Sequence, residues 1–404
     1  MTTTPGTLVY YITAHGYGHG VRSADIIRAC HELEPRWNII ATTALPRAFI
    51  QSRLHLPPEN LRPGAFDVGM IQDDALTVDL SRTLEALTHQ MAQREQLIAA
   101  EVEFLRSVNA GLVAADIPSI PLEAAARLDI PRVAIGNFGW NWIYAPCAER
   151  DARWKPLIER IEEGYRCAQK LYRLPFAEPM TVFSNPVDIP LLARPGKPDR
   201  QAVERLTQAD PEKEWVLIAF TKLNWPPEAL ARIARLEDCE FFTLKPVEWP
   251  GSCVHCLDPR DIFFSDLLAS VDCVISKPGF GLVSECIVNR KPLIYVEREH
   301  FPEYEILATC IHRHLPAVCI TQQQLYSGSL EAALQAIETT PHPDIPHETG
   351  GSRKLAEYLL ADTRTHCSAA SSNTPRTPPP TCSMTALSDE HDQTAQLRQS
   401  LREL

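Results

Sequence analysis

Residues 274–285 read Val274-Ile275-Ser276-Lys277-Pro278-Gly279-Phe280-Gly281-Leu282-Val283-Ser284-Glu285. The apolar run leading in, Val271, Cys273, Val274 and Ile275, predicts a buried strand. Ser276–Gly281 predicts a tight, glycine-containing turn, and Leu282–Val288 the start of a helix. A strand passing through a short turn into a helix is the unit of a doubly wound parallel sheet. The turn presents backbone N–H groups at the positive end of a helix dipole, which suits an anion and above all a phosphate. Lys277 adds a mobile positive charge beside it, and Glu285 falls one turn into the helix. Taken alone, the stretch is equally compatible with a plain strand-to-helix connector.

The same alternation extends outward in both directions. Thr7–Ala14 predicts a strand that ends in the glycine turn His15–Gly20, followed by a helix over Val21–Leu33. Strands are expected at Trp37–Thr43, Phe66–Ile71, Ala110–Ala115 and Pro131–Gly136. One long helix is expected at Ser81–Val108, where Leu84, Leu87, Met91, Ile98, Val102 and Leu105 form one stripe. Another is expected at Arg153–Leu171. The alternation stalls in the proline-rich stretch Phe183–Arg200, which reads as an interdomain linker over 186–200. It restarts with strands at Trp215–Phe220, Glu240–Lys245, Lys291–Val296 and Ala317–Ile320. Helices are expected at Pro226–Leu236, Arg260–Ser270, Glu303–His312 and Leu325–Ile337. The expectation is therefore two consecutive α/β domains, 1–185 and 201–362, each a doubly wound parallel sheet. Beyond Asp362 the composition turns to Ser, Thr and Pro, and 363–404 reads as a disordered tail.

The 404 residues carry a formal charge of −12, which argues against a nucleic-acid partner. No apolar stretch approaches the roughly 20 residues of a transmembrane helix, and the N-terminus has no basic region of a signal peptide. Twelve scattered cysteines suit reduced thiols better than a disulfide framework, so the cytoplasm is the expected location. Cys253-Val254-His255-Cys256 has no second ligand pair at zinc spacing, and no metal or cofactor is expected.

Chemistry is expected at the strand ends, because ligands of open α/β sheets bind at the carboxyl edge. His15-Gly16-Tyr17-Gly18-His19-Gly20 is neither a dinucleotide fingerprint nor a P-loop. It sets His15 and His19 on a loop whose glycines, Gly16 and Gly18, let a substrate approach closely. Histidine is the natural general base near neutral pH, although both histidines could merely fix the turn. Asp116 ends another strand of the same sheet. It could orient a histidine, hold an acceptor hydroxyl, or close its own turn. Asn137 and Trp140 end a third strand and combine an amide with an aromatic face, as sugar sites do. In the second domain Thr221 and Lys222 offer a further phosphate contact. Arg298 and Glu303 offer charged groups for sugar hydroxyls or a solvated helix start.

The segments YYITAHGYGHGVRSADIIR, QDDALTVDLSRTLEAL, NFGWNWIYA, SKPGFGLVSE and EREHFPEYEIL together resemble the N-terminal glycosyltransferase-like region of plant-type L-arabinokinases. More remotely they resemble GT-B glycosyltransferases typified by the peptidoglycan N-acetylglucosaminyltransferase. The resemblance spans roughly residues 8–315 in the same order. It implies two Rossmann-like domains facing a central cleft, with a nucleotide-sugar donor, UDP-linked by analogy, on the C-terminal domain and an acceptor on the N-terminal one. It implies His19 as the catalytic histidine, Glu285 on the donor ribose, and Ser276–Gly281 around the diphosphate; the helix start Gly279–Ser284, with Ser284, is read as stabilising the departing diphosphate. Metal-independent, inverting transfer is implied as well. The sequence departs from the pattern at Thr221-Lys222-Leu223, where a glycine-rich turn is expected, and it lacks the arabinokinase sugar-kinase domain. The alternatives are a non-catalytic sugar-binding module and a nucleotide-sugar epimerase or hydrolase on the same fold.

Overall fold

In a computed structural model, which describes residues 6–54, 56–72, 78–298, 302–343 and 345–371, the alternation closes into two parallel sheets. The first contains β1 Thr7–Ile12, β2 Ile39–Thr43, β3 Leu61–Pro63, β4 Ala110–Asp116, β5 Arg132–Gly136, β6 Lys170–Arg173 and β7 Pro186–Asp188, in the order β3-β2-β1-β4-β5-β6-β7. The second contains β8 Glu214–Ala219, β9 Cys239–Leu244, β10 Val254–Leu257, β11 Cys273–Ser276, β12 Leu293–Val296 and β13 Ala317–Ile320, in the order β10-β9-β8-β11-β12-β13. The helices around the first sheet are α1 Tyr17–Leu33, α2 Arg47–Leu54, α3 Leu80–Ala92, α4 Arg94–Ser107, α5 Ile120–Arg127, α6 Trp140–Arg150 and α7 Trp154–Arg166. Those that follow are α8 Arg200–Thr207, α9 Pro227–Ile233, α10 Phe264–Ser270, α11 Phe280–Val288, α12 Glu303–His314, α13 Gln322–Ser327, α14 Glu331–Glu338 and α15 Gly351–Ser371. The chain divides into one compact unit, Met1–Cys367, which holds both sheets, and a second, Ser368–Leu404. Of the second, only 368–371, the end of α15, are described.

Both sheets bury both faces, which is why their central strands are unbroken apolar runs. On β1, Val9 and Tyr11 join the cluster under α3–α7, while Leu8, Tyr10 and Ile12 face α1 and α15. On β8, Val216 and Ile218 face one layer and Trp215 and Leu217 the other. In each sheet the strand order reverses at the centre, between β1 and β4 and between β8 and β11. At these two switch points neighbouring loops leave in opposite directions and open a crevice at the carboxyl edge. The quoted stretch is the β11–α11 connection at one of them.

The structure differs from the sequence expectation in several elements. The third strand is Leu61–Pro63, not Phe66–Ile71. Residues 66–70 run across the sheet, where Phe66 meets Tyr11 edge-on at 5.3 Å and Met70 is buried. The long helix breaks at Gln93 into α3 and α4. Arg153–Leu171 is a helix only to Arg166 and gives way to β6. The expected linker contains β7, an edge strand that tolerates Pro186 at its first position. Arg260–Ser270 is helical only from Phe264, and Leu325–Ile337 breaks at Gly328, whose φ is +70°. Helix α15 has no counterpart in the sequence expectation: it runs past the expected domain end at 362 to Ser371 and inserts Leu355, Ala356, Leu359 and Leu360 into the core of the first sheet. Tyr358 stacks on Tyr172 of β6 at 5.6 Å. Residues 73–77 and 299–301, which belong to two of the quoted motifs, lie outside the described residues, as does most of the expected tail.

Candidate active site

At the first switch point the chain leaves β1 through Thr13–Gly16 and enters α1 at Tyr17. Gly16 takes φ +93°, a backbone region that disfavours other residues, and no side chain caps the helix. His19 lies in the first turn of α1 and is 8% exposed. Its Nδ1 sits 2.8 Å from Asp116 Oδ1 at the end of β4. With that N–H donated to the carboxylate, Nε2 is the unprotonated nitrogen.

Asp116 is completely buried and fully subscribed. Oδ1 also accepts from Arg22 Nη2 at 2.5 Å, and Oδ2 accepts from Arg22 Nε at 2.8 Å and from Ser23 Oγ at 3.0 Å. Arg22 therefore binds the carboxylate bidentately, and its Nη1 donates to Asn137 Oδ1 at 2.5 Å. Burial pushes the Asp116 carboxyl up, but Arg22 and His19 outweigh it and hold it well below the usual carboxylate range. Burial and then Arg22 lower the His19 imidazole, against the opposing pull of Asp116.

The other N-terminal candidates form the wall around this pair. Asn137 Nδ2 donates to the Pro175 carbonyl at 2.6 Å, so both ends of its amide are engaged. Trp140 is 2% exposed and donates to Asp67 Oδ2 at 2.9 Å. His15 meets Trp140 edge-on at 5.1 Å and lies against Gly69. A Cβ on Gly69, where φ is +70°, would fall 2.4 Å from His15 Nδ1. Burial lowers the His15 imidazole to about 3, reinforced by His19, Lys277 and Arg298. Gly18 faces open space.

Lys277 and Arg298 come from the second sheet, so the two carboxyl edges face one another across a cleft. Phe280, the first residue of α11, stacks on Phe138 at 6.3 Å with 23° between the rings. Glu303, in the first turn of α12, is in electrostatic reach of Arg298, Lys277 and Arg22. Burial raises its carboxyl to about 7 against those three cations. The α11 N-terminus has Gly279 as its cap residue, no side-chain cap and no acid in the first turn. Cβ atoms added at Gly279 or Gly281 would meet nothing within 4 Å. Ser276 Oγ donates to the Ala219 carbonyl at 2.5 Å, which ties this turn to the end of β8, where Thr221 and Lys222 stand exposed. Ser284 Oγ returns to the Phe280 carbonyl within the helix.

Glu285 stands apart from this group. Its charged neighbours are Asp25 of α1 and Arg53 of α2, and burial with Asp25 pushes its carboxyl up to about 7. Sequence reasoning missed Arg22, Ser23, Asp67 and Gly69. Arg22 carried a readable signal, since it falls three residues after His19 on the same helical face. His255, in the Cys-x-His-Cys cluster, instead pairs with Glu240 at 2.8 Å.

Two parallel, doubly wound domains that face each other across a cleft define the GT-B fold, the architecture of a large class of glycosyltransferases. The chain is similar to L-arabinokinase of Arabidopsis thaliana, with 26% identity over 375 residues. That alignment covers 89% of this chain and 35% of the curated relative, so the chain spans about a third of that protein's length. No family model matches the sequence. Among solved structures, Arabidopsis thaliana UGT89C1 complexed with UDP superposes with a TM-score of 0.56 at 15% identity, over 90% of this chain and 100% of that one. The glycosyltransferase SnogD from Streptomyces nogalater gives 0.52 at 15% identity, over 91% and 99%. A UDP-N-acetylglucosamine 2-epimerase gives 0.53 at 10% identity, over 90% and 98%. Among the described residues no helix is long and apolar enough to cross a membrane.

Proposed function

We propose that this chain transfers a sugar from a nucleoside-diphosphate donor, UDP-linked in our reading, to an acceptor oxygen. One observation carries the reading: a histidine held by a buried aspartate at one switch point faces an uncapped, glycine-lined helix N-terminus at the other. His19 Nε2 takes the acceptor proton as the acceptor oxygen bonds to the anomeric carbon. The bond from that carbon to the diphosphate breaks, and the leaving group takes the electron pair. Asp116 fixes the tautomer and orientation of His19. The N–H groups at Gly279–Ser284, with Lys277 and the exposed Thr221 and Lys222, receive the diphosphate charge. Arg298 and Glu303 meet the donor sugar, and His15, Gly16 and Gly18 line the acceptor side. Single displacement on these residues gives inversion, and the leaving-group charge falls on protein donors without a metal. The free cysteines, among them Cys253 and Cys319 at the surface, fit a reducing cytoplasmic setting. UDP-glucose and UDP-N-acetylglucosamine, each incubated with and without a panel of acceptors, test the reading through UDP release. Acceptor-dependent release is expected. Release without acceptor points to a hydrolase or epimerase, and saturable binding without release points to a binding module.

A further inference from the structure

Arg22 is the group that the transfer reading leaves unused, and it changes what the His19–Asp116 pair can do. A carboxylate has about four lone-pair positions, and all four on Asp116 are taken: by His19 Nδ1, by two nitrogens of Arg22, and by Ser23 Oγ. The same guanidinium brings Nη2 to 2.9 Å from His19 Nδ1. An imidazolium formed on His19 would therefore sit beside a carboxylate already neutralised by a fixed cation.

The remaining charged groups do not reverse this. His15, on the loop before α1, is held neutral. From the opposite domain, Lys277 and Arg298 reach His15, and Glu303 reaches Arg22 and keeps its proton until about pH 7. Asp67, which accepts from Trp140, is a second buried carboxylate within reach of Asp116, so the cation placed directly against His19 is the Arg22 guanidinium. A base so placed is weak, and its surroundings favour a negative charge on the attacking oxygen.

Resting on the transfer reading above, we propose that Arg22 makes His19 a low-basicity base and fits the site to an acidic acceptor oxygen. The class is a phenol-like or anionic oxygen acid with a pKa of about 10 or lower, rather than an alkyl hydroxyl. Arg22 acts through Asp116 and His19 and is a positioning and specificity residue. In the step itself, the O–H bond of the acceptor breaks toward His19 Nε2, or is already ionised. The new bond to the anomeric carbon forms as the diphosphate departs with its electron pair.

The experiment pairs two readouts on the full chain. With histidine ring nitrogens isotope-labelled and His19 assigned through H19A, the imidazole is titrated by NMR in wild type, R22K and R22Q. His19 is expected to titrate below the ordinary histidine value in wild type and R22K, and at least one pH unit higher in R22Q. Transfer from the UDP-sugar that supports UDP release is then compared for phenol and cyclohexanol as acceptors. At least a hundredfold preference for phenol is expected, shrinking at least tenfold in R22Q. An unmoved His19 titration in folded R22Q, or equal use of cyclohexanol by wild type, overturns the proposal and leaves the transfer reading standing. No acceptor-dependent release with either compound removes the transfer reading and this proposal with it.

Discussion

Asp116 shows what a single residue contributes here: a buried charge is tolerated because every lone pair has a donor. At the same scale, H19A should lower acceptor-dependent turnover by about two to four powers of ten while donor binding, read by isothermal titration, is retained. Unchanged turnover removes His19 from the chemistry. The pH dependence follows from the direction of its shift. His19 must be neutral to accept a proton, and burial with Arg22 lowers its value from 6.5. Turnover should therefore fall only on the acid side of pH 6.5, and a pH–rate profile with its acid limb above 7 would contradict the assignment. Gly16 gives a structural counterpart. At φ +93° a Cβ is strained whatever the space around it, so G16A should cost about 1–2 kcal/mol, measured by denaturant unfolding.

At the scale of the element, α11 has two ends to its first turns: an open N-terminus toward the cleft and Glu285 against α1 and α2. The folded-state value of Glu285, about 7, lies above its ordinary 4.5. A raised carboxyl contributes stability that is present below the unfolded value and lost as pH rises through the folded one. The wild type should therefore lose stability between about pH 4.5 and 7 through this group. E285Q should flatten that dependence and at pH 8 gain about 1–3 kcal/mol, read from melting curves across the range. A variant destabilised equally at every pH would show that Glu285 acts by packing and not by charge. The same elements mark what the sequence could show. The alternation of apolar runs and helical stripes made both sheets and the two switch-point turns readable, because period and turn chemistry are local. Gln93 carries no breaker signal, so the split between α3 and α4 was not readable. Asp67 and Gly69 were assigned to a strand, because Phe66 and Met70 are apolar for burial against the sheet and not for pairing within it. Arg22's grip on Asp116 joins residues 94 positions apart, a contact that no local pattern encodes.

At the scale of the whole molecule, the two sheets are joined by chain crossings that lie side by side. Leu191 N donates to the Glu348 carbonyl at 2.9 Å, and Gly351 N to the Leu191 carbonyl at 3.0 Å. The fit is close, since a Cβ on Gly351 would fall 2.1 Å from the Pro190 carbonyl oxygen. The second crossing delivers α15 to the first sheet, where Leu359 is fully buried with Leu8, Tyr10 and Tyr172. Tyr172 also donates to Asp362 at 2.5 Å, so apolar and polar contacts fix the same register. Helix α15 thus completes a core whose strands begin some 350 residues earlier, and the first sheet cannot reach full stability until α15 has docked. L359A should leave a cavity in that core and cost about 2–5 kcal/mol. Hydrogen exchange locates the loss: protection should fall on β1, β4 and β6, while β8 and β11 keep theirs at least in part, because their core contains no residue of α15. Equal loss on β8 and β11 would mean that the paired crossings bind both sheets into one cooperative unit. Unchanged protection on β1 would remove α15 from the N-terminal core.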